Sequence, residues 1–334
     1  MNINGLFPRR RRIVTFALLA AVAQAGGWAS LAWAQAYPAK PIRLVVAFGT
    51  GSVNDIIARE LAQPMGELLG QPIVVDNRTG AGGSVGTAAV AKAAPDGYTI
   101  GLGTSSQLVM NVGLYKSLPF DVDRDLRSIG LVSRTPLVLA ASTSMPGTLK
   151  ELIAVARSKP GQVSYGSGGA GSISHIAAEA FARAAGISLL HVPYKGSGAA
   201  VVDLTGGHVN LAFDSLLSTV PLASQGRLQL LAVSGRQRGP LAPATPTFAE
   251  QGLPDYDTYT WNCLFAPAGT PPEVIDTLNA ALNKALASAA VKDRLARAGS
   301  EGLGPSTPDQ TDAFGRTERA RWVPFVRALG IEVN

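Results

Sequence analysis

Short β-branched runs alternate along the chain with longer stretches that are apolar on one side only. Residues 42–48 read Ile-Arg-Leu-Val-Val-Ala-Phe, with the length and branching of a buried strand. A Gly/Ser turn follows, then an amphipathic segment over 56–69, a second strand over 73–76, a helix over 85–93 and a third strand over 98–103. This order predicts parallel βαβ units in an α/β sheet. Two further apolar runs, 129–133 and 137–142, flank Arg134-Thr135-Pro136. A proline there predicts an interrupted strand, as where a chain passes between domains.

The middle of the chain repeats the pattern. Helices over 148–158, 173–185 and 199–205 alternate with strands over 163–165, 189–192, 209–214 and 228–233. A proline-rich stretch over 240–254 leads into a strand over 259–265. The last clear helix begins at Thr270-Pro271-Pro272 and sets Val274, Ile275, Leu278, Leu282 and Leu286 on one face. No short-period repeat is present.

Composition changes this picture at one end. The length of 334 residues fits about two domains, and 46% hydrophobic against 16% charged positions excludes disorder for most of the chain. A net charge of +6 points towards a nucleic-acid partner until the charges are located. Arg9 to Arg12 precede an apolar run over 13–25, and Ala32-Trp33-Ala34 gives an A-x-A cleavage pattern, so 1–34 reads as a secretory signal peptide cleaved after Ala34. That segment holds four of the 29 basic residues and no acidic one, leaving 25 against 23, a net of +2. The nucleic-acid reading falls with it. The sole cysteine, Cys263, rules out an internal disulfide and a lipid-attachment site, and the three histidines lack metal-ligand spacing. No metal and no cofactor are expected, and the exported product does not span a membrane.

Candidate chemistry lies in two turns that follow strands and open helices: Phe48-Gly49-Thr50-Gly51-Ser52-Val53-Asn54-Asp55 and Tyr165-Gly166-Ser167-Gly168-Gly169-Ala170-Gly171-Ser172. Unpaired N–H groups at a helix start, with serine and asparagine side chains nearby, make a neutral cradle for a carboxylate. Ordinary capping by Ser52, Asn54 or Ser172 explains either turn taken singly. Gly166, Gly168 and Gly171 also match G-x-G-x-x-G, but the next strand ends in Pro193-Tyr194-Lys195-Gly196 without the acid that a dinucleotide needs. Gly82-Gly83-Ser84-Val85-Gly86 matches G-x-S-x-G, yet the stretch 77–83 is too long for a nucleophile elbow. Structural roles are expected for His175 and His191, a solvated loop position for Lys195, and interdomain packing for Trp261. Asp214 follows a strand and either accepts hydrogen bonds from a ligand or caps the next segment.

Several of these motifs resemble one family. They are Tyr37-Pro38-Ala39-Lys40-Pro41-Ile42-Arg43, Asp76-Asn77-Arg78-Thr79-Gly80-Ala81-Gly82-Gly83, Pro95-Asp96-Gly97-Tyr98, the Tyr165–Ser172 turn, His191-Val192-Pro193-Tyr194-Lys195-Gly196 and Ala266-Pro267-Ala268-Gly269-Thr270-Pro271. In order and over essentially the whole exported chain, they are similar to the extracytoplasmic receptors of tripartite tricarboxylate transporters, the Bug proteins. The resemblance implies a two-lobed periplasmic-binding-protein fold of type II, each lobe a mixed sheet flanked by helices, with the ligand in the interdomain cleft. The lobes are expected at 35–135 with 258–334, and at 136–257. It further implies a periplasmic monomer that binds a small organic carboxylate without transforming it and hands it to a membrane permease.

Carried over position by position, the ligand contacts are Phe48, Gly51, Ser52 and Asn54 in the first turn and Ser167, Gly168 and Ser172 in the second. Thr104, Ser105 and Asp214 are additional contacts. The first turn departs from the family's Pro-Phe-x-Pro-Gly-Gly-x-Thr-Asp, since Ala47, Thr50, Ser52 and Asn54 replace two prolines, a glycine and a threonine. The competing readings are an exported hydrolase on the same fold and a sensor component for a membrane signalling protein.

Overall fold

The computed structural model describes residues 37–331, so the expected export signal over 1–34 lies outside the described residues. Residues 40–331 form one unit. It opens with strand β1 (Ile42–Val46), helix α1 (Val53–Leu69), β2 (Ile73–Asn77), α2 (Ser84–Ala91) and β3 (Thr99–Thr104). A long β4 (Leu126–Ala141) is followed by α3 (Leu149–Ser158), β5 (Ser164–Ser167), α4 (Ile173–Ala185), β6 (Leu190–Pro193), α5 (Ser197–Thr205) and β7 (Leu211–Ser215). Then come α6 (Leu216–Ser224), β8 (Gln229–Val233), β9 (Tyr259–Pro267), α7 (Pro272–Ala287), α8 (Ala289–Arg297), β10 (Glu301–Gly302) and α9 (Pro308–Ala328).

The strands join in the order β2-β1-β3-β9-β4-β7-β5-β6, with β8 and β10 also on β4. Strand β1 pairs in parallel with β2 and β3, and β5 pairs in parallel with β6 and β7. These are the expected βαβ units. The antiparallel strands β9 and β4 join them: β4 runs along β9 from Leu126 to Pro136, then along β7 and β8 from Leu137 onward.

Pro136 corrects the expected interruption, because β4 continues through it. Its missing N–H falls where one partner strand gives way to others: Pro136 faces Tyr259 in β9, whereas the Leu137 N–H already donates to Ser234 Oγ at 2.9 Å. Helices α6, α8 and α9, absent from the sequence reading, are the other main difference. Helix α9 has a strong local signal, a capping box of Thr307 and Gln310 with Pro308 in its first turn. Its charged residues obscure its apolar stripe, which buries Trp322, Val323 and Val326.

The two larger of the hydrophobic clusters among the described residues lie against the strands. One gathers Leu139, Tyr165, Phe181, Phe213, Phe248 and Tyr256, and the other Val45, Val109, Trp261, Phe265, Trp322 and Val326. Helices α1 and α4 are stopped the same way, by Gly70 and Gly186 in the left-handed conformation that glycine adopts without strain. Both begin with a serine cap, Ser52 and Ser172, and these caps set where the two glycine turns end.

Candidate functional site

The carboxyl ends of the parallel strands converge on one cavity of about 420 Å3. Phe48 reaches it from the turn after β1, Ser106 from the segment after β3, and Gly168 and Ser172 from the turn after β5. Gly196 and Ser197 enter from the start of α5, and Asp214 from β7. In open α/β sheets, ligands bind beyond these strand ends. Leu114, Leu137, Ile173 and Phe213 add apolar wall, while Asn111 and Tyr115 add polar groups. No lysine or arginine lines the cavity. The exposed Lys195 stands outside it.

The turn after β5 is built from inside by side chains remote in sequence. Ser167 is fully buried; its Oγ accepts from the Gly169 N–H at 3.2 Å and lies 2.6 Å from His191 Nε2. The Gly168 N–H donates to Ser174 Oγ at 2.9 Å, and the Gly171 N–H donates to His175 Nδ1 at 3.0 Å. That last bond assigns the His175 proton to Nε2 when the ring is neutral. The His175 and His191 rings stack at 3.9 Å, and His191 stacks on Tyr165 at 4.9 Å. Tyr165 donates its hydroxyl to Glu179 at 2.6 Å. Burial, with His191 alongside, pushes His175 down to about 4. Burial also lowers His191, against an opposing pull from Glu179. Uncharged rings therefore brace the turn, in the structural role expected of both histidines.

Two features leave unmet hydrogen-bonding capacity among the residues of the cavity wall. Helix α5 starts at Gly196, which has no side chain to cap the first N–H groups. Gly168 packs closely there, since a Cβ would come within 3.1 Å of the Ser197 nitrogen. Asp214 accepts from the Ser215 N–H through Oδ1 at 2.7 Å, whereas its buried Oδ2 has no hydrogen-bond partner. Burial raises the Asp214 pKa; the Ser215 N–H and the Ser197 and Ser218 hydroxyls oppose the rise without meeting Oδ2 in bonding geometry. A raised pKa favours the protonated acid, which donates a hydrogen bond.

The turn after β1 is arranged differently. Its polar groups point at Asp55, which is buried and accepts from the Gly51 N–H at 2.9 Å, Asn77 Nδ2 at 3.0 Å and Arg59 Nε at 3.0 Å. Ser52 Oγ caps α1 by accepting from the Asp55 N–H at 3.2 Å. Asn54 Oδ1 accepts from Asn262 Nδ2 at 2.8 Å. Of the ten residues expected to touch ligand, Phe48, Gly168, Ser172 and Asp214 line the cavity, and Gly51, Ser52, Asn54, Thr104, Ser105 and Ser167 do not. Thr104 and Ser105 are buried just before Ser106, with hydroxyls that have no partner.

Ser106, Asn111, Gly196 and Ser197 were missed. The Gly-Ser pair at 196–197, directly after a strand, carried a usable signal, obscured by starting the helix at 199. Asn111 follows a π-type turn over Ser106–Met110 whose geometry has no sequence signature. Ser84 of the G-x-S-x-G match is buried and accepts from Asn111 Nδ2 at 3.0 Å, with no histidine bonded to it. Trp261 packs edge-on against Phe314 of α9 at 5.1 Å rather than in the cleft. Among the described residues, no cluster of histidine, cysteine and carboxylate side chains fits a metal, and no helix is long and apolar enough to cross a membrane.

A family model described as the tripartite tricarboxylate transporter family receptor matches residues 57–331. Protein BugT of Bordetella pertussis is 40% identical over 303 residues, covering 90% of this chain and 93% of its own. Among solved structures, an R. palustris protein with adipate superposes with a TM-score of 0.80 at 34% identity, over 89% of this chain and 99% of its own. MatC from Rhodopseudomonas palustris with bound malate superposes with a TM-score of 0.76 at 31% identity, over 87% of this chain and 100% of its own.

Proposed function

Because this chain belongs to the tripartite tricarboxylate transporter receptor family and has the two-lobed fold of periplasmic binding proteins, we propose that it is a periplasmic receptor for a small dicarboxylate. It captures the acid between the lobes and delivers it, chemically unchanged, to a membrane permease. The lobes in this reading are 35–135 with 258–334, and 136–257.

The observation that carries the proposal is a cavity that combines free hydrogen-bonding capacity with no cationic side chain in its wall. One ligand carboxylate takes the uncapped N–H groups at the start of α5 and the hydroxyl of Ser197, where the helix dipole favours negative charge. Asp214, beside Ser197 and favoured in its protonated form by burial, donates to the same carboxylate. Phe48, Leu114, Ile173 and Phe213 enclose the carbon body. Adipate and malate, bound by the related R. palustris proteins, are dicarboxylates of this kind.

Titration calorimetry with adipate, malate and the monoacid hexanoate tests the reading. Saturable binding of a diacid, well above that of hexanoate and weakened by Ser197→Ala, is expected. No binding of either diacid, or equal binding of the monoacid, overturns it. Mass spectrometry of the mixture after incubation should return the diacid unaltered, and a new product would replace the receptor by an enzyme.

A further inference from the structure

Ser197 opens α5 and Asp214 lies in β7, so both belong to the half of the sheet formed by β7, β5 and β6. Gly82, Asn111 and Tyr115, which line the same cavity, come from the other half. Gly82 lies just before α2, and Asn111 and Tyr115 in and directly after the short helix Asn111–Leu114 that follows β3. Strands β9 and β4 stand between β3 and β7. The cavity thus receives a second polar group of residues, to which the carboxylate seat at α5 gives no role.

Its chemistry follows from which atoms are already used. Asn111 Nδ2 donates to the Gly82 carbonyl at 3.1 Å and to Ser84 Oγ at 3.0 Å. A carbonyl only accepts, so these bonds fix which end of the amide is nitrogen and spend both of its protons. Oδ1 receives no hydrogen bond from the described residues. The hydroxyl of the half-buried Tyr115 is likewise without a partner among them, and burial is the one cause of its raised pKa. That rise keeps the phenol protonated, a donor at neutral pH. Neither oxygen is sealed into the packing, as the hydroxyls of Thr104 and Ser105 are. They also converge: a Cβ on Gly82 would lie 3.3 Å from Asn111 Oδ1 and 3.5 Å from the Tyr115 hydroxyl.

One donor beside one acceptor, in a wall without a cation, does not suit a second carboxylate. A buried carboxylate needs several donors, and Oδ1 would repel it. A hydroxyl both accepts and donates, and so answers the two atoms at once. On the footing that the ligand is a dicarboxylate, we propose that Tyr115 is a specificity-determining residue that selects a dicarboxylate bearing a hydroxyl on its carbon body. The ligand hydroxyl accepts from Tyr115 and donates to Asn111 Oδ1. A plain dicarboxylate of the same length leaves both groups unanswered and binds more weakly.

Succinate and the two enantiomers of malate differ only in that hydroxyl and its placement. Each is titrated calorimetrically into the wild type and into Tyr115→Phe, which removes one oxygen and keeps the ring. One malate enantiomer should bind the wild type about tenfold or more tighter than succinate. Tyr115→Phe should weaken malate about tenfold and leave succinate within about twofold. A merely structural role for Tyr115 would move both acids together. Thermal melts show whether the variant folds, and the wild-type comparison stands if it does not. Equal binding of malate and succinate by the wild type overturns the proposal, and so does a preference that survives Tyr115→Phe. Failure of malate to bind overturns it too; adipate binding would then leave the receptor standing, whereas loss of every diacid would remove both.

Discussion

Asp214 and His175, two buried side chains, couple this region to pH in opposite senses. For Asp214 the folded pKa is raised by burial, so its contribution to stability is present at low pH and fades as the carboxyl ionises. The same protonated form donates to a ligand carboxylate. Diacid affinity should therefore rise as the pH falls through the raised Asp214 pKa, and Asp214→Asn, always a donor, should flatten that rise. Calorimetry across the range decides; an unaltered slope in the variant would remove Asp214 from the contact.

His175 behaves the other way. Its pKa of about 4 lies below the ordinary 6.5, so the unfolded chain takes up the proton first. Full stability is expected above about pH 6.5, with a loss of up to roughly 3 kcal/mol as the pH falls through 4. The groups around it, His191, Tyr165 and Glu179, set the limit, since Glu179 lies 4.0 Å from Nε2 and accepts a charged ring more readily than the apolar stack does. Urea denaturation of the wild type and His175→Gln, compared over this interval, should show a shallower decline in the variant.

At the scale of elements, the two glycine turns share a grammar and differ in wiring. Both end in a serine cap, and removing either cap should cost about 1 kcal/mol. The turn after β1 rests on Asp55, whose burial would raise its pKa were it not outweighed by Arg59, the Gly51 N–H and Asn77, which bring it below the carboxylate range. That lowered pKa makes its stabilisation complete at neutral pH and lost as the pH drops through the folded value. Asp55→Ala leaves three donors unanswered and should destabilise by about 2–4 kcal/mol, read as a lower melting temperature. Strand and helix identities were largely legible from periodicity, because each depends on residues close in sequence. The continuation of β4 through Pro136 was not, since only the change of partner strands shows that no ladder bond is lost there.

For the molecule as a whole, closure around a ligand is a matter of differential affinity between open and closed states. A diacid at a hundred times its Kd should stabilise the protein by about 2.7 kcal/mol, visible as a raised melting temperature. If the lobes also close, small-angle scattering should record a smaller radius of gyration with diacid than without. Stabilisation at constant radius would mean a preformed cleft.

From the amino-acid order alone came the alternating elements, the two strand-to-helix turns and the likeness to a receptor family, all carried by local patterns. Which groups of those turns remain free for a ligand was settled only by folding. Ser52, Asn54 and Ser167 have the right chemistry, but Asp55, Asn262 and His191 occupy their polar atoms. A hydroxyl or amide has few bonding directions, and Asn262 and His191 arrive from distant parts of the chain. Asp214 reaches the cavity wall with its Oδ2 unpartnered, and the fold sets Ser197 beside it at the start of α5.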